Sequence, residues 1–419
     1  MALTTTSPRE RMTLARVAAR SVALLSDDEK RAALTSIADA IEADTDAITA
    51  ANSEDLQRGA GSGLSTALLD RLKLDATRVH ALADAVREIA ALPDPVGRVL
   101  DERVMANGVT LTKVAVPFGV IGSIYEARPN VTVDIAALAL RSGNAVVLRG
   151  GTAAELTNAA LITAMRGALA SCGIDPEAVQ TVDEFGREGA RELMHARGLV
   201  DVLVPRGSAQ LIETVVTESS VPVIETGAGI VHILLDATAR EDWAREIVVN
   251  AKVQRPSVCN AVETVLVHRD AAARLVPGVV ADLQAAGVTV HGDSVVATLA
   301  PDVVPAEEAD WMTEYLSLDV SMKIVENLDE ALAHIRSYST HHTESIITDD
   351  AASAARFLAE VDSAVVMVNT STRFTDGGEF GFGAEVGIST QKLHARGPMG
   401  LAELTSTKWL VRGAGQVRL

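Results

Sequence analysis

The chain has 419 residues, of which 48% are hydrophobic and 22% charged. Single domains most often contain about 100 to 150 residues, so this length predicts two or three domains and excludes a small module stapled by disulfides. With 37 basic and 56 acidic residues the formal net charge is −19, which argues against binding to nucleic acid or to an anionic membrane surface and means that an anionic substrate needs a local basic pocket.

Compartment is indicated by the two cysteines, Cys172 and Cys259. Two are too few for a disulfide framework and suit a reducing environment. No apolar run approaches the ~18 residues of a membrane span, and the N-terminus lacks the apolar core of a secretion signal. The stretch Ser7-Pro8-Arg9-Glu10 favours a capped structural helix over a transit peptide. We therefore expect a cytoplasmic protein.

The first hundred residues show apolar positions at helical spacing. They predict helices over 10–24, 29–50 and 65–90, separated by polar breaks such as Asn52-Ser53-Glu54-Asp55 and ended by a proline-rich break at 92–95. The dipeptide Asn107-Gly108 interrupts an apolar stretch and predicts a β-hairpin.

From about residue 119 short apolar strands alternate with amphipathic helices, the rhythm of a parallel sheet covered on both faces. The predicted strands are Val120–Tyr125, Ala145–Leu148, Val179–Val182, Val200–Val204, Val221–Ile224, His232–Leu235, Ala261–Val267, Val320–Val325, Ser345–Ile347 and Ala364–Asn369. The intervening helices are predicted over 131–141, 154–170, 186–196, 208–218, 240–253, 270–286, 328–337 and 350–360. We expect two α/β domains that meet near 226–230.

Two turns at strand ends are candidate phosphate sites. Arg149-Gly150-Gly151-Thr152 and Pro205-Arg206-Gly207-Ser208 each follow a predicted strand and precede a helix, whose first N–H groups suit a phosphate. A glycine turn of this kind is more often only a tight turn, but two on one sheet, each with an arginine, make the two interpretations about equal. The dinucleotide fingerprint GxGxxG and the P-loop motif are both absent from the sequence.

Cys259 is the candidate nucleophile. It lies between a predicted helix and a predicted strand, close in sequence to Lys252 and Arg255, and Pro256 presents it on irregular backbone. A buried, inert cysteine is the simpler interpretation from these residues alone. Cys172, at a predicted helix end, has no cationic neighbours of this kind and is expected to be a bystander. No histidine or cysteine cluster has the spacing of a metal site.

Several strings together resemble the aldehyde dehydrogenase superfamily, and within it the γ-glutamyl phosphate reductase branch. The resemblance extends from the N-terminal helices almost to the last residue. It is carried by VPFGVIG at 116–122, YEARPNVT at 125–132, RGG at 149–151, the Cys259 segment, and VGISTQKLHARGPMG at 386–400. It implies an α/β fold with two Rossmann-like domains and a small β oligomerisation flap. The implied divisions are 1–103 with 118–228 for cofactor binding, 229–398 for catalysis, and 104–117 with 399–419 for oligomerisation.

The resemblance also implies site residues. Cys259 is the expected nucleophile, and Asn130 matches the asparagine that completes the oxyanion hole. Arg149 and Thr152 occupy positions that favour NADPH, since a small neutral residue leaves room for a 2′-phosphate. The residues assigned to the cofactor are Arg149, Gly150, Gly151, Thr152, Pro205, Arg206, Gly207, Ser208, Glu225, Gly227 and Glu314. Glu225 lies where hydrolytic members keep a base, but the surrounding string departs from theirs, so we expect a structural or positioning role.

The implied reaction is the NADPH-dependent reduction of L-glutamyl 5-phosphate to L-glutamate 5-semialdehyde and phosphate through a cysteine thioester, the second step of proline biosynthesis from glutamate. The candidate substrate-binding cations are Arg128, Arg255, Lys392, His394 and Arg396. The alternatives are a hydrolytic aldehyde dehydrogenase and a catalytically silent member of the superfamily. The hairpin and the C-terminal segment resemble oligomerisation elements, so a homo-oligomer is expected, with possible coupling to a glutamate 5-kinase.

Overall fold

Residues 7–126 and 128–418 are described by the computed structural model. The chain divides into two units. Unit 1 comprises Met1–Glu225, Gly381–Gly387 and Met399–Leu419, and unit 2 comprises Thr226–Phe380 and Ile388–Pro398.

Unit 1 begins with a series of helices and continues as alternating strands and helices. Its helices are α1 Pro8–Val22, α2 Asp27–Ala43, α3 Thr45–Gly61, α4 Thr66–Leu72, α5 Ala76–Ala91, α6 Pro129–Arg141, α7 Glu155–Ser171, α8 Gly186–Met194 and α9 Ala209–Glu218. Its strands are β1 Val99–Val104, β2 Thr110–Pro117, β3 Val120–Tyr125, β4 Ala145–Arg149, β5 Val179–Thr181, β6 Val202–Arg206 and, near the C-terminus, β16 Thr405–Arg412.

Two sheets organise unit 1. The first is parallel with strand order β5-β4-β3-β6. The direction of the strand order reverses between β3 and β6, and such a reversal leaves a crevice at the carboxyl ends of the strands. The second is antiparallel with order β1-β2-β16, so the predicted hairpin is confirmed and the C-terminal strand completes it.

The N-terminal helices differ in their breaks from the prediction. The capping box at Ser7 and Glu10 is confirmed. The predicted break Asn52–Asp55 is wrong, because these residues lie inside α3. The Asn52 amide donates to the Leu72 carbonyl at 2.9 Å, and the Asp55 carboxylate accepts from the Thr157 backbone N–H at 2.8 Å. These polar side chains face inward and satisfy backbone groups of other segments, so they do not interrupt the helix.

The real interruptions fall elsewhere. The predicted helix 29–50 is divided at Asp44 between α2 and α3, and the predicted helix 65–90 is divided between α4 and α5. Asp75 caps the second of these divisions by accepting a hydrogen bond from Arg78 N. Asp75 is a residue type that favours the N-cap of a helix. The helical spacing of apolar residues nevertheless continues across this break, so the sequence predicts a single helix.

Unit 2 is an alternating α/β unit. Its strands are β7 Val231–Leu235, β8 Val262–His268, β9 Thr289–Gly292, β10 Val304–Pro305, β11 Asp319–Val325, β12 Thr343–Ile347 and β13 Val365–Val368. Its helices are α10 Glu241–Val253, α11 Arg269–Ala285, α12 Ser294–Leu299, α13 Leu328–Tyr338 and α14 Ala351–Glu360. Two short strands, β14 Gly387–Ser389 and β15 Gly397–Met399, pair with each other.

The sheet of unit 2 is parallel, with order β10-β9-β11-β8-β7-β12-β13. Aliphatic side chains form a core on each of its faces. One core packs Ile233 and Val265 with α10 and α11, and the other packs Leu234 and Leu266 with α13 and α14. This alternation along β7 and β8 is what two covered faces require.

One strand prediction needs correction, and three elements of unit 2 were missed. The predicted strand Val221–Ile224 does not form; the only pairing there is one isolated bridge between Leu203 and Val223. Pro222 lacks a backbone N–H and so cannot extend a ladder in this segment. The elements β9, α12 and β10 were not predicted at all. Among the described residues, no helix is both long and apolar enough to cross a membrane.

Candidate active site and cofactor site

Cys259 lies in a turn between α10 and β8, on the irregular backbone that the sequence predicts. A hydrogen bond of 3.1 Å from Ala261 N to the Val258 carbonyl closes this turn. Cys259 is partly exposed. A thiol on a turn, accessible from outside the core, has the access that a nucleophile needs.

Gly229 packs directly against the Cys259 turn. A Cβ atom on Gly229 would lie 1.6 Å from the Cys259 carbonyl oxygen, so no other residue fits there. The Gly229 N–H donates to the Glu314 carboxylate at 2.7 Å. Burial raises the pKa of Glu314, and the Gly229 hydrogen bond partly offsets that effect. Glu314 and the nucleophile are thus tied to the same short segment of backbone.

A buried ion pair lies behind this segment. Lys252 and Glu263 are both fully buried and pair at 2.6 Å. The other oxygen of Glu263 accepts from Leu316 N at 3.3 Å, and Leu316 has the left-handed φ of 54°. Burial raises the pKa of Glu263 to about 7 and lowers that of Lys252, because desolvation disfavours both charges. Lys252 therefore neutralises Glu263, and the sequence expectation that it serves as a cation for Cys259 is not what the structure shows.

Gly229, Cys259 and Glu314 share one end of the sheet of unit 2. Gly229, Cys259 and Glu314 shortly precede β7, β8 and β11, which are neighbours in the sheet. They therefore lie at the amino ends of parallel strands, opposite to the carboxyl ends at which open α/β sheets bind ligands.

The predicted substrate-binding cations of unit 2 have different surroundings. Lys392 and Arg396 both pair with the Asp362 carboxylate, Arg396 at 3.0 Å. These two cations hold the pKa of Asp362 below its usual value. Arg255 and His394 are exposed. Arg255 lies two residues after the end of α10 and is close in sequence to the Cys259 turn.

The predicted cofactor residues at 149–152 and 205–208 lie at the carboxyl ends of two strands of unit 1, β4 and β6. Arg149 is the last residue of β4, and its Nε donates to the Gly186 carbonyl at 3.4 Å. Gly150 N donates to Asp183 at 2.7 Å, and a Cβ on Gly150 would meet the Asn158 amide at 2.2 Å. Asn158 donates to the same Asp183 at 3.1 Å. This network fixes the turn after β4.

The turn after β6 binds a carboxylate of the protein itself. Ser208 is the N-cap of α9, and its side chain accepts from Leu211 N. Its backbone N–H and its hydroxyl both donate to the Glu126 carboxylate, at 3.1 and 2.8 Å. Glu126 follows directly after β3, beside β6 in the sheet. The donors that the sequence offers to a phosphate at Pro205–Ser208 are therefore engaged by a carboxylate.

Asn130 lies in the first turn of α6 and is exposed. Its Nδ2 donates to Asp134 Oδ2 at 3.0 Å, one helical turn later. Burial raises the pKa of Asp134 to about 6, with smaller opposing effects from Asn130 and the Arg206 charge. Arg128 is the N-cap residue of the same helix. An amide has two N–H donors, so the bond to Asp134 fixes the plane of the group and leaves a second donor.

The remaining predicted residues are placed as follows. Thr152 is exposed at the start of a short 3-10 helix before α7, and Gly151 precedes it. Glu225 is half-buried at the end of unit 1. Gly227 N donates to the Ile388 carbonyl at 3.1 Å. Cys172 is exposed at the C-cap of α7. No group of three or more metal-ligating side chains is found in the described part of the chain.

Four residues with a clear structural relation to these sites were not predicted from the sequence: Glu126, Asp134, Glu263 and Arg373. Glu126 was part of a quoted motif, and Asp134 is spaced i, i+4 from Asn130, a signal that was available. Arg373 had no local signal. Its Nε donates to Gln254 at 2.7 Å, and the two residues are 119 positions apart in the sequence.

Comparison with known proteins places these observations in context. A family model described as "Aldehyde dehydrogenase family" matches residues 3–322. A γ-glutamyl phosphate reductase of Leifsonia xyli subsp. xyli is 62% identical over 415 residues, 99% of each chain. One of Clavibacter michiganensis subsp. michiganensis is 64% identical over 404 residues, 96% of this chain and 94% of that relative. The crystal structure of a γ-glutamyl phosphate reductase from Thermotoga maritima superposes with a TM-score of 0.97 at 43% identity, covering 99% of this chain and 100% of that chain.

Proposed function

Because the chain belongs to the aldehyde dehydrogenase family and, within it, to the γ-glutamyl phosphate reductases of proline biosynthesis, we propose that it reduces L-glutamyl 5-phosphate with NADPH through a thioester on Cys259. The products are L-glutamate 5-semialdehyde and phosphate. The observation that carries the proposal is the full-length similarity to relatives of that name, at 62% identity over 99% of the chain.

The first chemical step belongs to Cys259. Its thiolate attacks the acyl carbon, an Sγ–C bond forms, the C–O bond to the phosphoryl group breaks, and phosphate leaves with the electron pair. The partly exposed turn before β8 gives the thiol access. The proposed stabilisers of the oxyanion are the Cys259 N–H and the Asn130 amide, whose orientation the Asp134 hydrogen bond holds.

A nicotinamide cofactor fits unit 1 by two features of the parallel sheet. The strand order reverses at β3 and β6, and Arg149 ends β4, the position where an arginine accommodates a 2′-phosphate. Exposed, neutral Thr152 adds no negative charge there. When bound, NADPH supplies the hydride that, with a proton, converts the thioester into a thiohemiacetal. Collapse of that adduct releases the aldehyde and restores the Cys259 thiol.

Phosphate dependence separates this reaction from hydrolysis. With the purified protein, oxidation of glutamate semialdehyde by NADP⁺ is expected to require inorganic phosphate, which takes the acyl group from the thioester. Oxidation that proceeds equally well without phosphate would instead indicate a hydrolytic aldehyde dehydrogenase.

The nucleophile is tested by Cys259→Ser, with Cys172→Ser as the matched control. We expect the first variant to lose semialdehyde formation while keeping its fold by circular dichroism, and the second to keep both. Activity retained in Cys259→Ser would refute the assignment. A kinetic comparison in which NADH serves as well as NADPH would refute the proposed role of Arg149.

The antiparallel sheet of unit 1 supports the proposal that the protein is a homo-oligomer. Strands β1 and β16 are both edges, and Val104, Trp409 and Val411 on them are exposed apolar residues. An exposed strand edge with apolar side chains is a template for pairing with another chain. Light scattering of the purified protein measures the number of copies. We also propose that it works in the cytoplasm.

A further inference from the structure

The segment that follows β13 turns back along the sheet. Asn369 has the left-handed φ of 56°, which asparagine tolerates better than most residues. Its side chain accepts from Thr348 N and donates to the Thr348 carbonyl, both at 2.9 Å. The next residues run back beside β12: Ser345 donates to the Thr370 carbonyl and Thr343 to the Thr375 hydroxyl. The segment therefore returns from the carboxyl end of the sheet to its amino end.

There the return segment docks on the Cys259 turn. The Thr372 hydroxyl donates to the Asn260 carbonyl at 2.8 Å, and the Asn260 amide donates to the Thr375 carbonyl at 2.7 Å. Arg373 lies between these two anchor points, and its Nε donates to Gln254 at 2.7 Å. The segment thus contacts residues on both sides of Cys259, and the half-buried Arg373 is held between them.

Arg373 and Arg255 place two guanidinium groups near the Cys259 turn. Within the described residues, neither of them makes an ion pair with a carboxylate, whereas Lys392 and Arg396 share Asp362. Burial lowers the pKa of Arg373 most, attraction to Asp376 opposes this, the Arg255 charge lowers the pKa further, and the Cys259 thiolate and Glu379 raise it. The Asp376 carboxylate itself accepts from the backbone N–H groups of Gly378 and Glu379.

The hydrogen bond to Gln254 uses the inner nitrogen of the Arg373 guanidinium. The two terminal nitrogens carry parallel N–H groups that match two oxygens of a phosphate. The net charge of the whole chain is −19, so a site for an anion needs cations that the chain's own carboxylates do not hold in ion pairs.

We propose that Arg373, with Arg255, binds the phosphoryl group of the acyl phosphate and receives the phosphate that leaves. This inference rests on the proposed function for the identity of the substrate. The fixed guanidinium meets the charge that develops on the leaving group as the C–O bond breaks. In the oxidative direction the same pair binds the inorganic phosphate that attacks the thioester.

The kinetic test uses the oxidative direction, in which inorganic phosphate is a substrate. For Arg373→Gln we expect the KM for phosphate to rise by roughly ten- to a hundredfold, the loss typical of a charge-assisted hydrogen-bonded pair, with the KM for NADP⁺ unchanged. Arg373→Lys keeps the positive charge but not the two parallel N–H groups, so its KM for phosphate is expected to lie between those of Arg373→Gln and the wild type. Arg356→Gln, an exposed arginine paired on α14 with Glu360, is the matched control and should leave both constants unchanged.

A binding test needs no turnover. In a Cys172→Ser background, the rate of alkylation of Cys259 by iodoacetamide is measured with increasing inorganic phosphate. Phosphate is expected to slow alkylation in the parent protein, and this protection is expected to be lost in Arg373→Gln and partly kept in Arg373→Lys. If circular dichroism shows that Arg373→Gln does not fold, both the kinetic and the alkylation test are made with Arg373→Lys.

Two outcomes would overturn the phosphate subsite. One is a KM for phosphate in Arg373→Gln within twofold of wild type. The other is unchanged protection by phosphate together with an altered pH profile of alkylation, which would make Arg373 a stabiliser of the thiolate alone. A wild-type enzyme that oxidises the semialdehyde without phosphate would instead refute the proposed function, and the protection experiment would still decide whether Arg373 binds phosphate.

Discussion

Two buried histidines of unit 2 make folding stability depend on pH. His334, on α13, and His342, directly before β12, are almost or fully buried. Burial lowers the pKa of His334 to about 3, with help from the charges of His232 and Lys323, and lowers that of His342 to about 4. The Nε2 atom of each ring lacks a hydrogen-bond partner among the described residues. Both rings are therefore neutral in the folded protein at pH 5 to 8.

The sign and size of the effect follow from linkage. An unfolded chain protonates each histidine below its ordinary pKa of about 6.5, whereas the folded protein does not, so stability is present above pH 6.5 and is lost as the pH falls toward the folded values. At pH 5 the unfolded histidine is about 1.5 pH units below its pKa, which corresponds to about 2 kcal/mol for each residue. The buried carboxyls of Asp134 and Glu263, with pKa values raised to about 6 and 7, act in the opposite direction.

A comparison of variants isolates the histidine effect from the carboxyls. The free energy of unfolding in urea is measured from pH 8 to pH 5 by tryptophan fluorescence, to which Trp311 contributes, with its ring 5.7 Å from that of His334. We expect the free energy of unfolding of His334→Gln, relative to that of the wild type, to rise by about 2 kcal/mol as the pH is lowered from 8 to 5. His195→Gln, at an exposed histidine, should run parallel to wild type. Parallel curves for His334→Gln and wild type would refute the reasoning.

Three further predictions concern the sites. Asp134→Asn should lower kcat with little change in the KM for NADPH. The wild-type kcat should fall below about pH 6, where the Asp134 carboxyl protonates, and pH–rate profiles should show no such fall in the variant. Glu126→Gln removes the carboxylate from the N-terminus of α9, so the KM for NADPH should fall roughly two- to fivefold; an unchanged KM would mean that the cofactor does not use this position. Lys252→Met leaves Glu263 buried without its partner and should lower the free energy of unfolding by about 3 to 5 kcal/mol. The double variant Lys252→Met, Glu263→Leu should regain most of that loss, and an equal loss in the single and double variants would contradict the explanation.

The sequence predicted elements where local chemistry determines them. The capping box at Ser7, the hairpin at Asn107-Gly108 and the α/β alternation after residue 119 depend on neighbouring residues and were correctly predicted. Errors arose where a polar residue serves a distant segment. Asn52 and Asp55 look like a helix break in the sequence because their partners, at Leu72 and Thr157, become neighbours only after folding.

The candidate site, like the fold, was predictable only where neighbouring residues in the sequence carry the signal. Cys259 could be found from its turn and from the resemblance of its segment, but the ion pair that neutralises Lys252 could not, because Glu263 is recognised as its partner only in three dimensions. Arg373 reaches the Cys259 turn only because the chain reverses at Asn369 and runs back along β12. No spacing rule predicts such a return.

Ion pairing explains which cations of an acidic protein remain available to an anionic substrate. Where a carboxylate lies within reach, a guanidinium or ammonium pairs with it, as Lys392 and Arg396 do with Asp362. A cation keeps its charge for a ligand only where the fold prevents that pairing. At the Cys259 turn this is achieved by geometry, since Gln254, a neutral acceptor, holds Arg373 in place. An amide orients the guanidinium without cancelling its charge, whereas a glutamate at residue 254 would orient it equally well and neutralise it.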